Sequence, residues 1–191
     1  MMRIARLCLL AAASLLGAGL FGACLFGADL ATRVSAAHDG APPAPAQPVM
    51  EDPNQARIDY IENCGGCHGV NGSTVPAQLP ELMGRVGWFM CTPASRAYLL
   101  RLPNVAHSRI HDNAELADLM NYVVFVLGGN SVPAGTRPFS AEEVARERQH
   151  ALSNASLTAE RLRHATAAVK QCHAPQSIKL LYPGYHPATA H

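Results

Sequence analysis

The sequence is poor in charged and aromatic residues and has no excess of one charge sign. Only 15% of the 191 residues are charged, 6% are aromatic, and the formal net charge is +1. This balance excludes the basic excess expected of a nucleic-acid-binding protein. With 49% hydrophobic residues, the composition also excludes a long disordered polymer. The chain has few aromatic side chains with which to fill a hydrophobic core. A small domain buries little of its surface and is only marginally stable, so it would need another source of buried apolar surface.

Close-spaced cysteines are equally scarce, and the one such pair lies in Cys64-Gly65-Gly66-Cys67-His68. This pattern is the attachment signal for c-type haem. Two thiols one helical turn apart can each form a thioether to a haem vinyl group, and the adjoining histidine reaches the iron. We therefore predict one covalent haem c, held by Cys64 and Cys67, with His68 as the proximal iron ligand.

Two other kinds of site share the Cys-x-x-Cys pattern. A zinc site would need further ligands, which Cys91, Cys172 and His173 could supply, although no second close-spaced pair exists. A thioredoxin-like site would need a strand before the motif, whereas the flanking sequence is typical of helices. Haem attachment remains the interpretation that the motif favours.

The N-terminus predicts export. Two arginines precede an uncharged run over residues 7–28, and small residues follow up to Ala37. Residues 1–37 are therefore interpreted as a secretory signal peptide, cleaved after Ala36 or Ala37. The run could also cross about 30 Å of hydrocarbon, so membrane association through an uncleaved N-terminal anchor stays open. Either version places the rest of the chain in the periplasm.

Beyond the leader, residues 38–50 form a spacer rich in proline and alanine. Outside the leader and the haem motif, Cys91 and Cys172 remain. In an oxidising compartment they could form a disulfide, which would contribute roughly 4 kcal/mol by closing a long loop. The alternative is two unrelated buried thiols.

Capping residues predict a series of helices. Asp52, Thr92 and Asp112 begin three of them, and Ser140 and Thr158 begin two more. The apolar spacing places Ile58 and Ile61 on the inner edge of the first helix, and Leu162, Ala165 and Val169 on one face of the last.

A second pattern follows the haem motif. Pro80-Glu81-Leu82-Met83-Gly84, after Cys-x-x-Cys-His-Gly, resembles the class I cytochromes c, and the resemblance covers about residues 54–129. It implies an all-α, class I cytochrome c-like haem domain at 51–130, whose last helix crosses the first. It also implies that the Pro80 carbonyl orients His68 and that Leu82 packs on the haem. Trp88, in the apolar group after this loop, is a further candidate for haem packing.

The sequence departs from that family at the distal iron ligand. The loop over residues 102–111 contains no methionine, and from here to Tyr122 the chain resembles a subset of exported cytochrome-like proteins with a shortened loop. His107 lies in this loop, and imidazole is a good iron ligand, so we predict His107 as the distal ligand. A methionine from elsewhere and an open or water-bound iron remain alternatives.

Residues 131–191 form a helical C-terminal extension. They carry four acidic and seven basic residues, against eight acidic and five basic residues in 51–130. The helices of the extension are too short and too weakly apolar to form a separate core, so we expect them to pack on the haem domain. The charge difference should attract the two segments to each other. A basic docking surface for a redox partner is the alternative.

These observations predict a carrier that shuttles single electrons between a donor and an acceptor redox protein, with no substrate of its own. A vacant distal position would instead favour a haem enzyme or gas sensor. A retained anchor would favour a cytochrome subunit of a membrane-bound dehydrogenase complex.

Overall fold

The regular elements that can be described are all helical. A computed structural model of the chain describes residues 48–74, 79–153 and 156–183; the predicted leader and most of the spacer lie outside these ranges. Within them there are seven α-helices. They are α1 (Pro53–Tyr60), α2 (Gly66–His68), α3 (Pro93–Arg101), α4 (Pro103–Ala106), α5 (Asn113–Asn121), α6 (Ala141–Glu147) and α7 (Leu157–Cys172). The predicted all-α fold with a helical C-terminal extension is confirmed.

Two π-helical turns continue α1 and α5. The turn Ile61–Gly65 joins α1 to α2, and Tyr122–Leu127 follows α5. Short 3₁₀ segments complete the structure at Val86–Cys91, Gly129–Ser131, Arg148–His150 and Gln176–Lys179. None of the helices in the described ranges is long and apolar enough to cross a membrane.

Local capping fixes where the helices begin. The Asp52 carboxylate accepts hydrogen bonds from two backbone amides of the first turn of α1, and Asp112 does the same for α5. Thr92 caps α3 in a capping box with Ser95. Ser140 caps α6, as predicted. Ser156, rather than the predicted Thr158, caps α7.

Helices α1 and α5 pack against each other, as the family resemblance implied. The rings of Tyr60 and Tyr122 lie 5.5 Å apart between centroids at the ends of the two helices. At the N-terminal end of α1, the carboxylate of Asp118 in the last turn of α5 accepts hydrogen bonds from the backbone amides of Glu51 and Asp52, at 2.8 and 3.0 Å. This pairing fixes the direction in which α1 delivers the Cys-x-x-Cys-His motif.

The predicted apolar faces of two helices were correct only in part: Ile61, Ala165 and Val169 pack against the core, but Ile58 and Leu162 do not. Ile58 is 46% exposed, and α1 buries Ala56, Asp59 and Tyr60 instead. Leu162 is 47% exposed. The inner face of α7 consists of Arg161, His164, Ala165 and Ala168.

The C-terminal extension packs on the preceding helices, but net charge does not explain how. Arg96 and Arg101 of α3 form ion pairs with Glu143 and Glu147 of α6, so the bases come from the more acidic segment. The Arg96 guanidinium also lies 4.2 Å from the centroid of the Phe139 ring. The observed contacts are specific ion pairs and ring packing. A net difference of a few surface charges is screened by salt over about 10 Å, so it does not determine which groups meet.

Asn121 provides a second anchor for the extension. It is 1% exposed, its amide nitrogen donates to the Phe139 carbonyl at 3.1 Å, and its side-chain oxygen accepts from the Phe139 amide at 2.7 Å. Asn121→Ala should lower the free energy of unfolding by about 3 kcal/mol, because two buried backbone groups lose their partner. Urea denaturation measures this. The exposed Asn130, changed to alanine, is the control, and equal losses in both variants would contradict the prediction.

Candidate haem-attachment site

The Cys-x-x-Cys-His motif lies at the C-terminal end of the helical stretch formed by α1, the π-helical turn and α2. Cys64 lies in the π-helical turn Ile61–Gly65, and Cys67 and His68 lie in α2. Residues three or four positions apart in a helix share a face, so Cys64 lies one turn from both Cys67 and His68. Both cysteines are free thiols; Cys64 is half-buried and Cys67 is exposed. Burial, followed by the neighbouring Cys67, raises the pKa of Cys64 to about 11.

His68 contacts Pro80 across twelve residues. The His68 Nδ1 lies 3.1 Å from the Pro80 carbonyl oxygen. A carbonyl can only accept, so Nδ1 carries the proton, and Nε2 keeps the lone pair that a metal requires. Burial lowers the pKa of His68, and this hydrogen bond offsets part of the change. The result is a neutral, oriented imidazole.

Short backbone contacts bring Pro80 to His68. Gly69 follows His68 at φ 71°, where a Cβ atom would collide with the Ser73 carbonyl. The Tyr60 hydroxyl donates to the Gly69 carbonyl at 2.6 Å. Further along, the Gly72 carbonyl accepts from the Leu82 amide at 2.9 Å. The loop therefore folds back so that Pro80 approaches the end of α2.

The two predicted haem-packing residues lie next to this loop. Leu82 and Trp88 are both half-buried and pack against the hydrophobic core. Trp88 belongs to the 3₁₀ segment Val86–Cys91. The next residue, Phe89, is buried, and the centroid of the Phe89 ring lies 5.8 Å from that of the Tyr98 ring. Leu82 and Trp88 thus remain partly accessible while Phe89 completes the protein core.

His107 lies at the C-terminal end of α4, and its side chain is exposed. Among the described residues, no hydrogen bond, ion pair or ring contact joins it to the motif. Arg148 of the extension holds the loop backbone, donating to the carbonyls of Ala106 at 3.1 Å and Ile110 at 3.2 Å. Of the methionines near the motif in sequence, Met83 is exposed and Met90 is buried in the core.

The zinc alternative is not supported. Cys91 and Cys172 form a disulfide with their Cα atoms 6.1 Å apart, so neither is available as a thiolate ligand. In the part of the chain that the structure describes, no group of three or more histidine, cysteine, aspartate or glutamate residues could hold a metal ion. The thioredoxin-like alternative also lacks its strand, because the motif is embedded in helix.

Sequence reasoning missed several residues that position the site. Arg148 fixes the loop of His107, Tyr60 fixes Gly69, and Arg85 binds the C-terminal segment. No spacing rule connects residues so far apart in the chain. Of these three residues, Tyr60 is the one that the sequence pattern could have indicated. It lies one turn before the motif, and a buried hydroxyl requires a hydrogen-bond partner.

The residues present fit a c-type haem. Two unpaired thiols lie one turn apart, a neutral histidine keeps Nε2 free, and half-buried apolar side chains lie on the adjacent loop. This donor set matches covalent attachment of the porphyrin with one axial nitrogen ligand.

Comparison with known proteins points the same way. Cytochrome c-552 of Thermus thermophilus is 26% identical over 115 residues, covering 51% of this chain and 88% of that protein. A second cytochrome c-552 from Thermus thermophilus is also 26% identical over 115 residues, covering 51% of this chain and 78% of that protein. No family model and no solved structure matches the chain. The similarity, the all-α cytochrome c-like fold and the motif geometry together support a c-type cytochrome.

Proposed function

We propose that this chain is an exported, mono-haem, class I-like cytochrome c that shuttles single electrons between a donor and an acceptor redox protein in the periplasm. The observation that carries the proposal is the contact between His68 and Pro80 beside two free thiols. Electron transfer at low reorganisation cost needs a rigid, oriented ligand set, and this contact fixes the imidazole ring.

In this function the chain supplies attachment, orientation and exclusion of water. Haem c, when bound, supplies an iron that takes up and releases one electron. Cys64 and Cys67 would hold it covalently, and His68 Nε2 would bind the iron. The Pro80 carbonyl keeps the proton on His68 Nδ1, and Leu82 and Trp88 would cover the porphyrin.

The distal position decides between a carrier and its rival. We propose His107 as distal ligand, because it is an exposed imidazole in the loop before α5. The rival is a haem enzyme or gas sensor with an open distal position. One observation favours it: Arg148 ties the backbone of this loop to the extension, so His107 would need to turn toward the iron from a constrained loop.

The electron paramagnetic resonance spectrum of the ferric protein tests the proposal. With His107 as ligand, the parent should be low-spin and His107→Ala should be high-spin. His111→Ala is the matched control, since His111 is an exposed histidine four residues along the same loop. A high-spin parent would contradict the carrier and support the open site, and low-spin spectra in both parent and variant would exclude His107.

A further inference from the structure

One peptide group links the proximal histidine to the C-terminal extension. The Pro80 carbonyl accepts the hydrogen bond from His68, and the amide of the same peptide group, on Glu81, donates to the Leu181 carbonyl at 2.8 Å. A trans peptide is planar, and its C=O and N–H point in opposite directions. The two bonds therefore form one chain from the imidazole to Leu181.

Such chains are cooperative. A peptide whose N–H donates is polarised, so its carbonyl becomes a better acceptor, by about 10–30% per bond. The Leu181 carbonyl should thus strengthen the bond that Pro80 accepts from His68. A histidine that donates more strongly from Nδ1 is a more basic metal ligand at Nε2.

The segment before Leu181 is packed and hydrogen-bonded, and this holds the Leu181 carbonyl in place. Ile178 is 1% exposed and inserts the 3₁₀ segment Gln176–Lys179 into the core. Arg85, on the loop that carries Pro80, donates to the Leu180 carbonyl at 2.9 Å. The buried Arg161 of α7 donates to the Ile178 carbonyl at 2.9 Å. Two guanidinium groups therefore fix the backbone that leads to Leu181.

We propose that this C-terminal segment tunes the proximal ligand: the Leu181 carbonyl, acting through the Glu81 amide and the Pro80 carbonyl, makes His68 a stronger donor and lowers the reduction potential. Leu181 is a positioning residue in this role, because it acts on the iron only through other groups. The inference rests on the proposed function. It gives the extension a role beyond packing.

A matched pair of substitutions at Glu81 tests the link directly. Glu81→Pro removes the amide donor, whereas Glu81→Ala keeps it and removes only the side chain. In the haem-loaded full chain, Glu81→Pro should raise the ratio of reduced to oxidised haem about tenfold at fixed ambient potential, or about 59 mV for one electron. The NMR signal of the His68 Nδ1 proton should move upfield. Glu81→Ala should change neither.

A pair of truncations provides the second measurement, since Glu81→Pro could prevent folding. A chain ending at Lys179 lacks the Leu181 carbonyl, and a chain ending at Pro183 keeps it. The shorter chain should reproduce the rise in potential and the upfield shift, and the longer chain should match the parent. Unchanged potential and proton shift in the shorter chain, with haem still bound, would overturn this inference alone. A parent that binds no covalent haem would overturn the proposed function instead.

Discussion

A variant with both motif cysteines changed to alanine will lose all covalently bound haem. Each thioether needs one thiol, and Cys64 and Cys67 are both free thiols. Acid–acetone extraction should strip pigment from Cys64→Ala/Cys67→Ala, whereas the parent should retain it through extraction. Mass spectrometry of the intact polypeptide should show the added mass of one haem in the parent and none in the variant.

The matched control is the double variant Cys91→Ser/Cys172→Ser, which removes the same number of sulfur atoms elsewhere. It should keep its haem through extraction. A coloured, extraction-resistant Cys64→Ala/Cys67→Ala variant would contradict the assignment of the motif. Single variants should retain one thioether and show a shifted absorption band, because one vinyl group then stays conjugated with the porphyrin.

Loss of the Cys91–Cys172 disulfide should cost about 4.5 kcal/mol of unfolding free energy. The bond spans 81 residues, and in the chain-entropy model so long a loop restricts the unfolded chain strongly. Domains of this size are stable by only about 5–15 kcal/mol, so the loss would consume a large share of the total. Urea denaturation of the haem-loaded Cys91→Ser/Cys172→Ser variant measures it.

Reduction of the parent gives an independent check. Dithiothreitol should open the disulfide and shift the urea midpoint as far as the double substitution does, while the thioethers stay intact and the haem absorption persists. A midpoint unchanged by reduction would contradict the expected contribution. A midpoint that moves on reduction but not on substitution would contradict loop closure as its cause, because both changes open the same loop.

Helix starts were predictable because capping is local. Asp52, Thr92 and Asp112 satisfy backbone amides two or three residues away, and such short-range chemistry is visible in sequence. The prediction of Cys64, Cys67 and His68 as the haem-attachment residues also rests on short-range spacing. The contact between His68 and Pro80 came from family resemblance, since nothing local pairs residues twelve positions apart.

Helix orientation was harder to predict. Ile58 faces solvent because α1 packs through Tyr60 against Tyr122, a partner far along the chain. Leu162 faces solvent because α7 uses Arg161 to bind the C-terminal backbone. Hydrophobic spacing cannot anticipate a buried arginine whose partners are carbonyl oxygens. The net charges of the two segments did not predict how the extension packs, for a related reason. The ion pairs between α3 and α6 join bases of the more acidic segment to acids of the more basic one.

The disulfide also constrains how such a cytochrome is made. Haem attachment requires Cys64 and Cys67 as thiols, whereas the finished fold has Cys91 and Cys172 oxidised. In the exported protein that we propose, Cys91 would emerge long before its partner and would share an oxidising compartment with both motif thiols. The pairings closest in sequence are therefore the wrong ones. Under that proposal, biogenesis would need a reductant that reaches the motif before folding is complete and an oxidant or isomerase that acts on the distant pair.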